Sequence, residues 1–285
     1  MLQKNFYFLA RRFVAGETIA SAIEAVRELN RRGMSATLDF LGEDVVERAA
    51  AVRTRDVYLE MLDAIRANGV NSNVSMKLTA IGLLVDEDFA FENLSSIVQR
   101  AQRNADPFVR IDMEGSSVLE PTLRIFERAF SAHSNVGPVL QAYLKRTGRD
   151  VERAIEIGAR VRLCKGAYNE PPEIAYKRMP EIRMHYLESA RALLERGTYP
   201  GIATHDRRLI GAIKAFASER HIGNDQFEFQ MLYGCRPGLQ RDIVAEGYRL
   251  RIYVPFGTHW AGYFYRRVLE RRENALFALS SIFSR

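Results

Sequence analysis

Hydrophobic and polar positions follow two different periods along the chain, and the two periods alternate. Short apolar runs with strand-like spacing, such as SATLDFLG at 35–42 and NVSMKL at 73–78, are each followed by an amphipathic stretch with helical spacing. Eight strands are predicted in this way, at 35–42, 73–78, 108–113, 137–143, 160–166, 201–206, 227–232 and 250–257. Strict strand–helix alternation is typical of parallel strands joined by crossover helices.

The number of repeated units favours a closed barrel over an open doubly wound sheet. Units of roughly 30 residues match the repeat of a (β/α)8 barrel, and no glycine-rich dinucleotide fingerprint follows the first strand. Residues 1–33 are predicted to be helical, with Thr18 as a candidate N-cap and Gly33 as a stop signal. We therefore predict an α/β protein, a (β/α)8 TIM-type barrel over residues 35–285 with a helical N-terminal extension over residues 1–34.

The composition leaves the fold prediction unchanged and limits the functional classes that the protein can belong to. Of the 285 residues, 47% are hydrophobic, which is ample for a large core. The 41 basic and 35 acidic residues are interspersed and form no basic stripe, so nucleic acid is not a predicted partner despite the net charge of +6. Cys164 and Cys235 match no disulfide, metal or redox spacing, and no apolar run reaches the roughly 20 residues of a membrane span. A cytoplasmic protein is predicted.

Polar residues stand at seven consecutive predicted strand ends. In a (β/α)8 barrel those ends converge on the face that carries the active site, whereas the interior usually holds branched apolar side chains. A ring of this kind therefore predicts a functional site. Its members are Lys77, Asp112, Gln141, Arg162 with Lys165, Thr204 with His205, Gln230 and Tyr253.

The residues alone leave several kinds of chemistry open. The five histidines show no metal-binding spacing, so no metal is predicted. Lys77 or Lys165 in a dry barrel would suit a Schiff-base aldolase of the class I type, although Asp112 beside Lys77 would keep the ammonium charged and favour an anion clamp. A glycosidase would need a second carboxylate facing Asp112 or Glu114, for which Asp206 is a candidate. A nucleic-acid or anionic-surface binding module, driven by the basic balance, is a further alternative from another functional class.

Seven motifs point to one family. They are SMKLTAIG, IDMEGS, VLQAY, RVRLCKGAYNEP, IATHD, FEFQMLYG and RIYVPFGTHW with YFYRRVLERREN. In this order, on strands two to eight, they resemble the signatures of proline dehydrogenases of the monofunctional bacterial type, over about residues 35–274. The resemblance implies a distorted (β/α)8 barrel that binds FAD non-covalently, oxidises L-proline to Δ1-pyrroline-5-carboxylate and passes the electrons to quinone.

The resemblance also implies roles for individual residues. Lys77, Arg266 and Arg267 are similar to the trio that binds the substrate carboxylate and, with Tyr253, form the implied catalytic set. The other implied substrate contacts are Tyr263, which walls the proline ring with Tyr253; Glu270, which orients the arginine pair; and Asp112, which lies beside Lys77. The implied flavin contacts are Gln141, Arg162, Lys165, Gly166, Ala167, Tyr168, Thr204, His205 and Gln230. Glu43 resembles an acid that closes a gate by pairing with Arg266.

Some features of the sequence depart from the family pattern, and others imply partners of the protein. Asn169 stands where many members carry an aromatic residue, and the segment between Tyr253 and the arginine pair looks shorter than in the large bifunctional relatives. No aldehyde dehydrogenase domain follows, so a separate pyrroline-5-carboxylate dehydrogenase is an expected partner. Electrons bound for quinone imply at least a transient contact with the inner membrane.

Overall fold

The computed structural model describes residues 11–264, and the strands in this part of the chain form a closed parallel barrel. The strands are paired in sequence order, and β8 pairs with β1 to close the ring. Their bounds are β1 Ser35–Phe40, β2 Ser72–Lys77, β3 Val109–Asp112, β4 Val136–Gln141, β5 Arg162–Cys164, β6 Gly201–Ala203, β7 Glu228–Leu232 and β8 Leu250–Phe256. The prediction of a (β/α)8 fold is confirmed.

Helices alternate with the strands as the periodicity predicts. Their bounds are α1 Ile19–Arg31, α2 Arg48–Asn68, α3 Glu87–Ala101, α4 Leu119–Ala132, α5 Thr147–Glu156, α6 Met179–Arg196, α7 Arg207–Glu219 and α8 Pro237–Ala245. Short 3-10 turns at Leu78–Ile81 and Ser116–Val118 follow β2 and β3, and residues 260–264 after β8 are helical.

The first helix of the described residues begins after Thr18, which confirms Thr18 as the predicted N-cap, but no helix precedes this cap within residues 11–18. Thr18 caps it in a reciprocal capping box with Ser21, so the prediction of helix is wrong for residues 11–18. The apolar residues just before the cap pack near the end of the barrel instead, and Ala15 N donates to Pro255 O at 2.9 Å. The predicted fifth strand is also too long, because 165–178 forms a loop between β5 and α6.

Helix α1 covers the outer face of the barrel where β1 meets β8. Its apolar stripe, which includes Val26 and Leu29, is buried in the same core cluster as both strands. Regular alternation would place the helix that follows β8 at this position. In this protein α1 fills that position. The division into an extension over 1–34 and a barrel over 35–285 stays a prediction.

The interior of the barrel is polar, which is unusual for this architecture. Hydrogen bonds join strands that are not neighbours, as between Arg162 on β5 and Asp112 on β3, so these side chains must cross the interior. Many inward positions along the strands carry charged or hydrogen-bonding groups, while alternate residues such as Leu38 and Ile111 pack outward under the helices. The apolar core therefore lies between the barrel and its helices.

Gly137 on β4 is required by close packing at the base of the barrel. A Cβ at this position would lie 2.2 Å from the carbonyl oxygen of Arg160 and 2.6 Å from the ring of Phe108. We expect Gly137→Ala to lower the free energy of unfolding by about 1–3 kcal/mol through overpacking. Urea unfolding measures this change.

The matched control is Gly211→Ala in α7. Nothing lies within 4 Å of a Cβ at Gly211, so alanine should stabilise the helix by up to about 1 kcal/mol. Equal unfolding midpoints for the two alanine variants would contradict the packing argument.

Candidate active site

The predicted residues converge at the end of the barrel formed by the C-terminal ends of the strands. Lys77, Asp112 and Gln141 are the last residues of β2, β3 and β4. Arg162, Gln230 and Tyr253 lie within their strands, and all six side chains are buried or nearly so. Tyr263 lies in the helical residues 260–264 after β8, and the others lie in the loops that follow β1, β5 and β6, namely Glu43, Lys165, Gly166, Ala167, Tyr168, Thr204 and His205.

The carboxylate of Asp112 connects four strands across the barrel. Its Oδ1 accepts hydrogen bonds from Ser75 Oγ at 2.6 Å and from Arg162 Nη1 at 2.7 Å. Its Oδ2 accepts from the Tyr253 hydroxyl at 2.9 Å. Burial raises the pKa of Tyr253 well above its ordinary value, so the phenol stays neutral and keeps this donor. Asp112 therefore fixes the guanidinium and the aromatic ring relative to each other.

Lys77 is the buried ammonium of the site, at 8% exposure. Burial alone would lower its pKa, but the negative charges of Asp39, Glu43 and Asp112 outweigh burial and hold the pKa above its ordinary value. The ammonium therefore stays charged. The direct salt bridge seen in the described residues joins Lys77 Nζ to Glu43 Oε2 at 3.4 Å.

One predicted pairing turns out differently in the described part of the chain, and a second stays a prediction. Asp112 was expected to pair with Lys77, but its salt bridge is to Arg162, because Arg162 reaches across the barrel on the same layer. Glu43 was expected to pair with Arg266, which lies outside the described residues, as do Arg267 and Glu270.

The loop after β1 is held close to the loop after β2. Asp44 N donates to Thr79 Oγ1 at 3.1 Å and Val45 N donates to Thr79 O at 3.0 Å. Thr79 in turn donates to the buried carboxyl of Glu114 from its hydroxyl, at 2.6 Å, and from its backbone N–H. Burial raises the pKa of Glu114 to about 7. The loop that carries Glu43 to the C-terminal end of the barrel is therefore held in place by hydrogen bonds to Thr79.

The loop after β5 carries the ammonium of Lys165 next to a backbone bend at Gly166. Lys165 Nζ lies 2.8 Å from Asp206, which also accepts from Arg183 at 2.7 Å. Burial opposes ionisation of Asp206, but these two cations hold the pKa of its carboxyl well below the usual range. Gly166 has φ +115°, and a Cβ there would lie 2.2 Å from the Tyr143 ring, so only glycine fits this bend.

His205 and its neighbours are fixed by hydrogen bonds to the adjacent strand. Leu232 N donates to His205 Nε2 at 2.9 Å, which leaves that nitrogen without a lone pair for a metal. Thr204 N donates to the backbone oxygen of Gln230 at 3.1 Å. Within the described ranges, no group of three or more histidine, cysteine or acidic side chains is arranged to hold a metal ion.

Several important side chains were missed by the sequence reasoning. Ser75 bonds both Asp112 and Arg162, and Asp39 lies fully buried within electrostatic range of Lys77. Polar residues alternate with apolar residues inside the first two strands, at Thr37 and Asp39 and at Asn73 and Ser75. This alternation could have predicted that Asp39 and Ser75 face the interior of the barrel.

Comparisons with known proteins identify the family of the chain. A family model described as "Proline dehydrogenase" matches residues 22–279. The chain belongs to the proline dehydrogenase family. Among curated members, proline dehydrogenase 1 of Bacillus subtilis is 41% identical over 96% of this chain and 90% of its own length. The proline dehydrogenase of Deinococcus radiodurans is 38% identical over 99% of this chain and 92% of its own length.

A solved structure supports the fold over nearly the same range. The proline utilization A protein of Bdellovibrio bacteriovorus, crystallised after inactivation by N-propargylglycine, superimposes with a TM-score of 0.87 at 27% identity. The match covers 94% of this family member and 33% of that longer chain. Among the helices of the described residues, none combines the length and apolar character that a bilayer crossing requires.

The buried Glu114 makes stability depend on pH near neutrality. The folded-state pKa of about 7 lies above the ordinary value of 4.5, so this group stabilises the fold fully below pH 4.5. That stabilisation is lost as the pH rises to about 7 and amounts to roughly 3 kcal/mol at most. We expect Glu114→Gln, which resembles the protonated carboxyl, to remove this pH dependence.

Urea unfolding of wild type and variant at intervals from pH 4.5 to 7.5 measures the effect. Glu152→Gln is the control, because the hydrogen bonds from Arg196 lower the pKa of Glu152 and keep it ionised across this range. A wild-type-minus-variant difference that stays constant across the range would show that Glu114 does not titrate there.

Proposed function

We propose that this protein is a flavoenzyme that oxidises L-proline to Δ1-pyrroline-5-carboxylate with FAD and passes the electrons to quinone. Membership of the proline dehydrogenase family supports the substrate. The observation that carries the proposal is the buried ammonium of Lys77, held charged at the mouth of the barrel beside the Asp112–Tyr253 pair. A desolvated cation next to an aromatic wall suits a small amino acid carboxylate.

The carboxylate clamp is proposed to consist of Lys77 from the described part of the chain together with Arg266 and Arg267. Glu270 would orient the two guanidinium groups from one helical turn away. Tyr253 and Tyr263 would bound the ring of the substrate, and Asp112 would hold Tyr253 in place through its 2.9 Å hydrogen bond. Fixing the carboxylate and the ring determines which carbon faces the cofactor, so this set contributes orientation rather than acid–base chemistry.

The described residues fit a flavin at the proposed cofactor side. Arg162 Nη2 is buried and has no hydrogen-bond partner among the described residues, although the rest of the guanidinium is fully bonded. A buried donor of this kind calls for an acceptor atom on a bound group. FAD, when bound, supplies the hydride acceptor that no side chain provides. The residues proposed to hold it are Gln141, Arg162, Lys165, Gly166, Ala167, Tyr168, Thr204, His205 and Gln230.

Glu43 is proposed as a gate residue. Its loop is anchored through Thr79, and its carboxylate reaches Lys77 at 3.4 Å. A substrate carboxylate approaching Lys77 would compete with Glu43 for the same ammonium. Release from Lys77 would leave Glu43 available to pair with Arg266, so binding of the substrate and closure of the loop would be coupled.

A Schiff-base aldolase is less well supported by the same geometry. A Schiff-base lysine must be neutral to attack a carbonyl, yet the surrounding carboxylates hold the pKa of Lys77 above its ordinary value. Lys165 is engaged by Asp206 at 2.8 Å. Both lysines are therefore better placed to bind anions than to form covalent adducts.

The proposal has consequences for partners. The product would be oxidised further by a separate pyrroline-5-carboxylate dehydrogenase. Transfer of electrons to quinone would bring the protein to the inner membrane transiently.

The absorption spectrum of the purified protein tests the proposal. We expect flavin bands that bleach under anaerobic conditions on addition of L-proline and return on addition of a soluble quinone. A protein that takes up no FAD, or whose flavin L-proline does not reduce, would overturn the proposal. Trapping of a carbonyl substrate by borohydride would favour the aldolase instead.

The carboxylate clamp predicts a specific kinetic change. Arg267→Ala should raise the KM for proline by at least 10-fold and leave the flavin content close to that of the wild type, because a charge-assisted bond contributes a few kcal/mol, roughly 2–5 kcal/mol when buried. Arg196→Ala is the control, since Arg196 forms an exposed ion pair with Glu152 on the outer helices. Wild-type proline kinetics in Arg267→Ala would exclude Arg267 from the clamp.

A further inference from the structure

A chain of hydrogen bonds continues from the candidate site down the inside of the barrel. Arg162 Nε donates to Gln230 Oε1 at 2.5 Å, and Gln230 Nε2 donates to Glu228 Oε1 at 2.6 Å. Glu228 Oε1 also accepts from Arg251 Nε at 2.8 Å. Arg251 reaches Asp106 at 3.0 Å near the opposite end of the barrel. We call the segment formed by Gln230, Glu228 and Arg251 the interior relay.

The hydrogen bonds of the interior relay fix which end of the Gln230 amide accepts and which end donates. A glutamine side chain without such partners could adopt either orientation. The two ends of a glutamine amide are alike in size but opposite in hydrogen bonding, one accepting and the other donating. Arg162 has only donors, so Gln230 must present its oxygen to Arg162. Glu228 enforces that choice from the other side, because an ionised carboxylate can only accept. Burial opposes ionisation of Glu228, but the charge of Arg251 and the hydrogen bonds from Arg251 and Gln230 lower the pKa of Glu228 below its ordinary value, so it is ionised.

The consequence for the site follows from what Arg162 contacts. With Gln230 in this orientation, Arg162 Nε is bonded on one side and Nη1 reaches Asp112 and Ser75 on the other. If the amide turned over, its NH2 would face the Nε–H of Arg162, and two donors would repel. The guanidinium would then move away from Asp112, and Asp112 would lose one of its three donors.

We propose that Glu228 is a positioning residue for the oxidation of the substrate, acting through the amide of Gln230 to aim Arg162. The inference rests on the proposed function, because Arg162 is there a contact of the flavin. Glu228 itself lies two residues before Gln230 on β7 and is connected to Arg162 through the Gln230 amide. Arg251 supports it by holding the carboxylate in place through a second donor.

A purely structural role for Glu228 is the competing explanation. Glu228 also neutralises the buried Arg251, so any change at Glu228 is expected to lower stability in both cases. Loss of stability therefore does not distinguish the two. The discriminating quantities are the orientation of the Gln230 amide, and kcat compared with the affinity for the substrate carboxylate.

Two variants separate the explanations. Glu228→Gln replaces a carboxylate, which can only accept, by an amide with one donating end, so that Gln230 and Arg251 share a single uncharged oxygen. Glu228→Asp keeps the buried charge for Arg251 but withdraws the carboxylate from Gln230 by one methylene.

Positioning predicts a loss of at least 10-fold in kcat for Glu228→Gln and Glu228→Asp. The Kd of a five-membered cyclic carboxylate that lacks the amine should change by less than 3-fold, because the clamp is not touched. A purely structural role predicts that both variants lose stability and keep kcat within about 3-fold of the wild type.

The FAD-free protein gives a readout that does not depend on activity. In protein labelled with 15N-glutamine, the side-chain amide of Gln230, assigned by its disappearance in Gln230→Leu, should shift by NMR in Glu228→Gln. It should be unchanged in Glu152→Gln, which breaks an exposed ion pair with Arg196 on the outer helices. An unchanged amide resonance together with wild-type kcat in folded Glu228→Gln, or in Glu228→Asp if the former does not fold, would overturn the inference.

Failure of the proposed function has a different signature. If the wild-type flavin is not reduced by proline, the function is wrong, while the amide resonance still reports whether Glu228 orients Gln230. If the wild type is reduced by proline and the Glu228 variants match it, only the positioning inference fails.

Discussion

The carboxylate of Asp112 accepts hydrogen bonds from Ser75, Arg162 and Tyr253, which come from three other strands, and the polar interior of the barrel depends on it. A buried charge that loses its partner costs roughly 3–5 kcal/mol. Asp112 prevents that cost for Arg162 and gives the phenol of Tyr253 a buried acceptor. Moving Asp112 would therefore disturb the aromatic wall, the cation of the cofactor side and the top of the interior relay together. One acidic side chain makes the arrangement of the mouth cooperative.

Most barrels of this type fill their interior with layers of apolar side chains, so that stability and chemistry occupy separate regions. Here the apolar core is displaced outward, between the strands and the helices, and the interior carries charges from the mouth to the base. The interior charges balance one another in the described residues through pairs such as Arg251 with Glu228. The charged groups of the site therefore belong to the same network as the charged groups inside the barrel. The site is not only a set of loops added at one face.

The sequence predicted the order of elements well because strand and helix periods differ clearly along most of the chain. It also identified the mouth, because polar residues at strand ends need only the strand boundaries. It did not predict the partners of Lys77 and Arg162, since pairing across a barrel depends on register and on side-chain reach, which local spacing does not contain. Asp39 was missed for a related reason, as a lone acid in a buried strand resembles a boundary residue. The helix over residues 11–18 was predicted wrongly because its apolar residues serve a contact with the distant strand β8.

The packing of helix α1 against the distant strand β8 has a consequence for how the chain folds. The apolar stripe of α1, within Ile19–Arg31, is covered by strands β1 and β8, and β8 begins at Leu250. During synthesis at roughly 5–20 residues per second, about 10–45 s pass between the appearance of α1 and that of its last partner. For that time the helix exposes part of an apolar surface that cannot be buried by any earlier element. Barrel closure is therefore a late step with a high sequence separation, which favours slow folding, and the newly made chain is most exposed to aggregation just before β8 is complete.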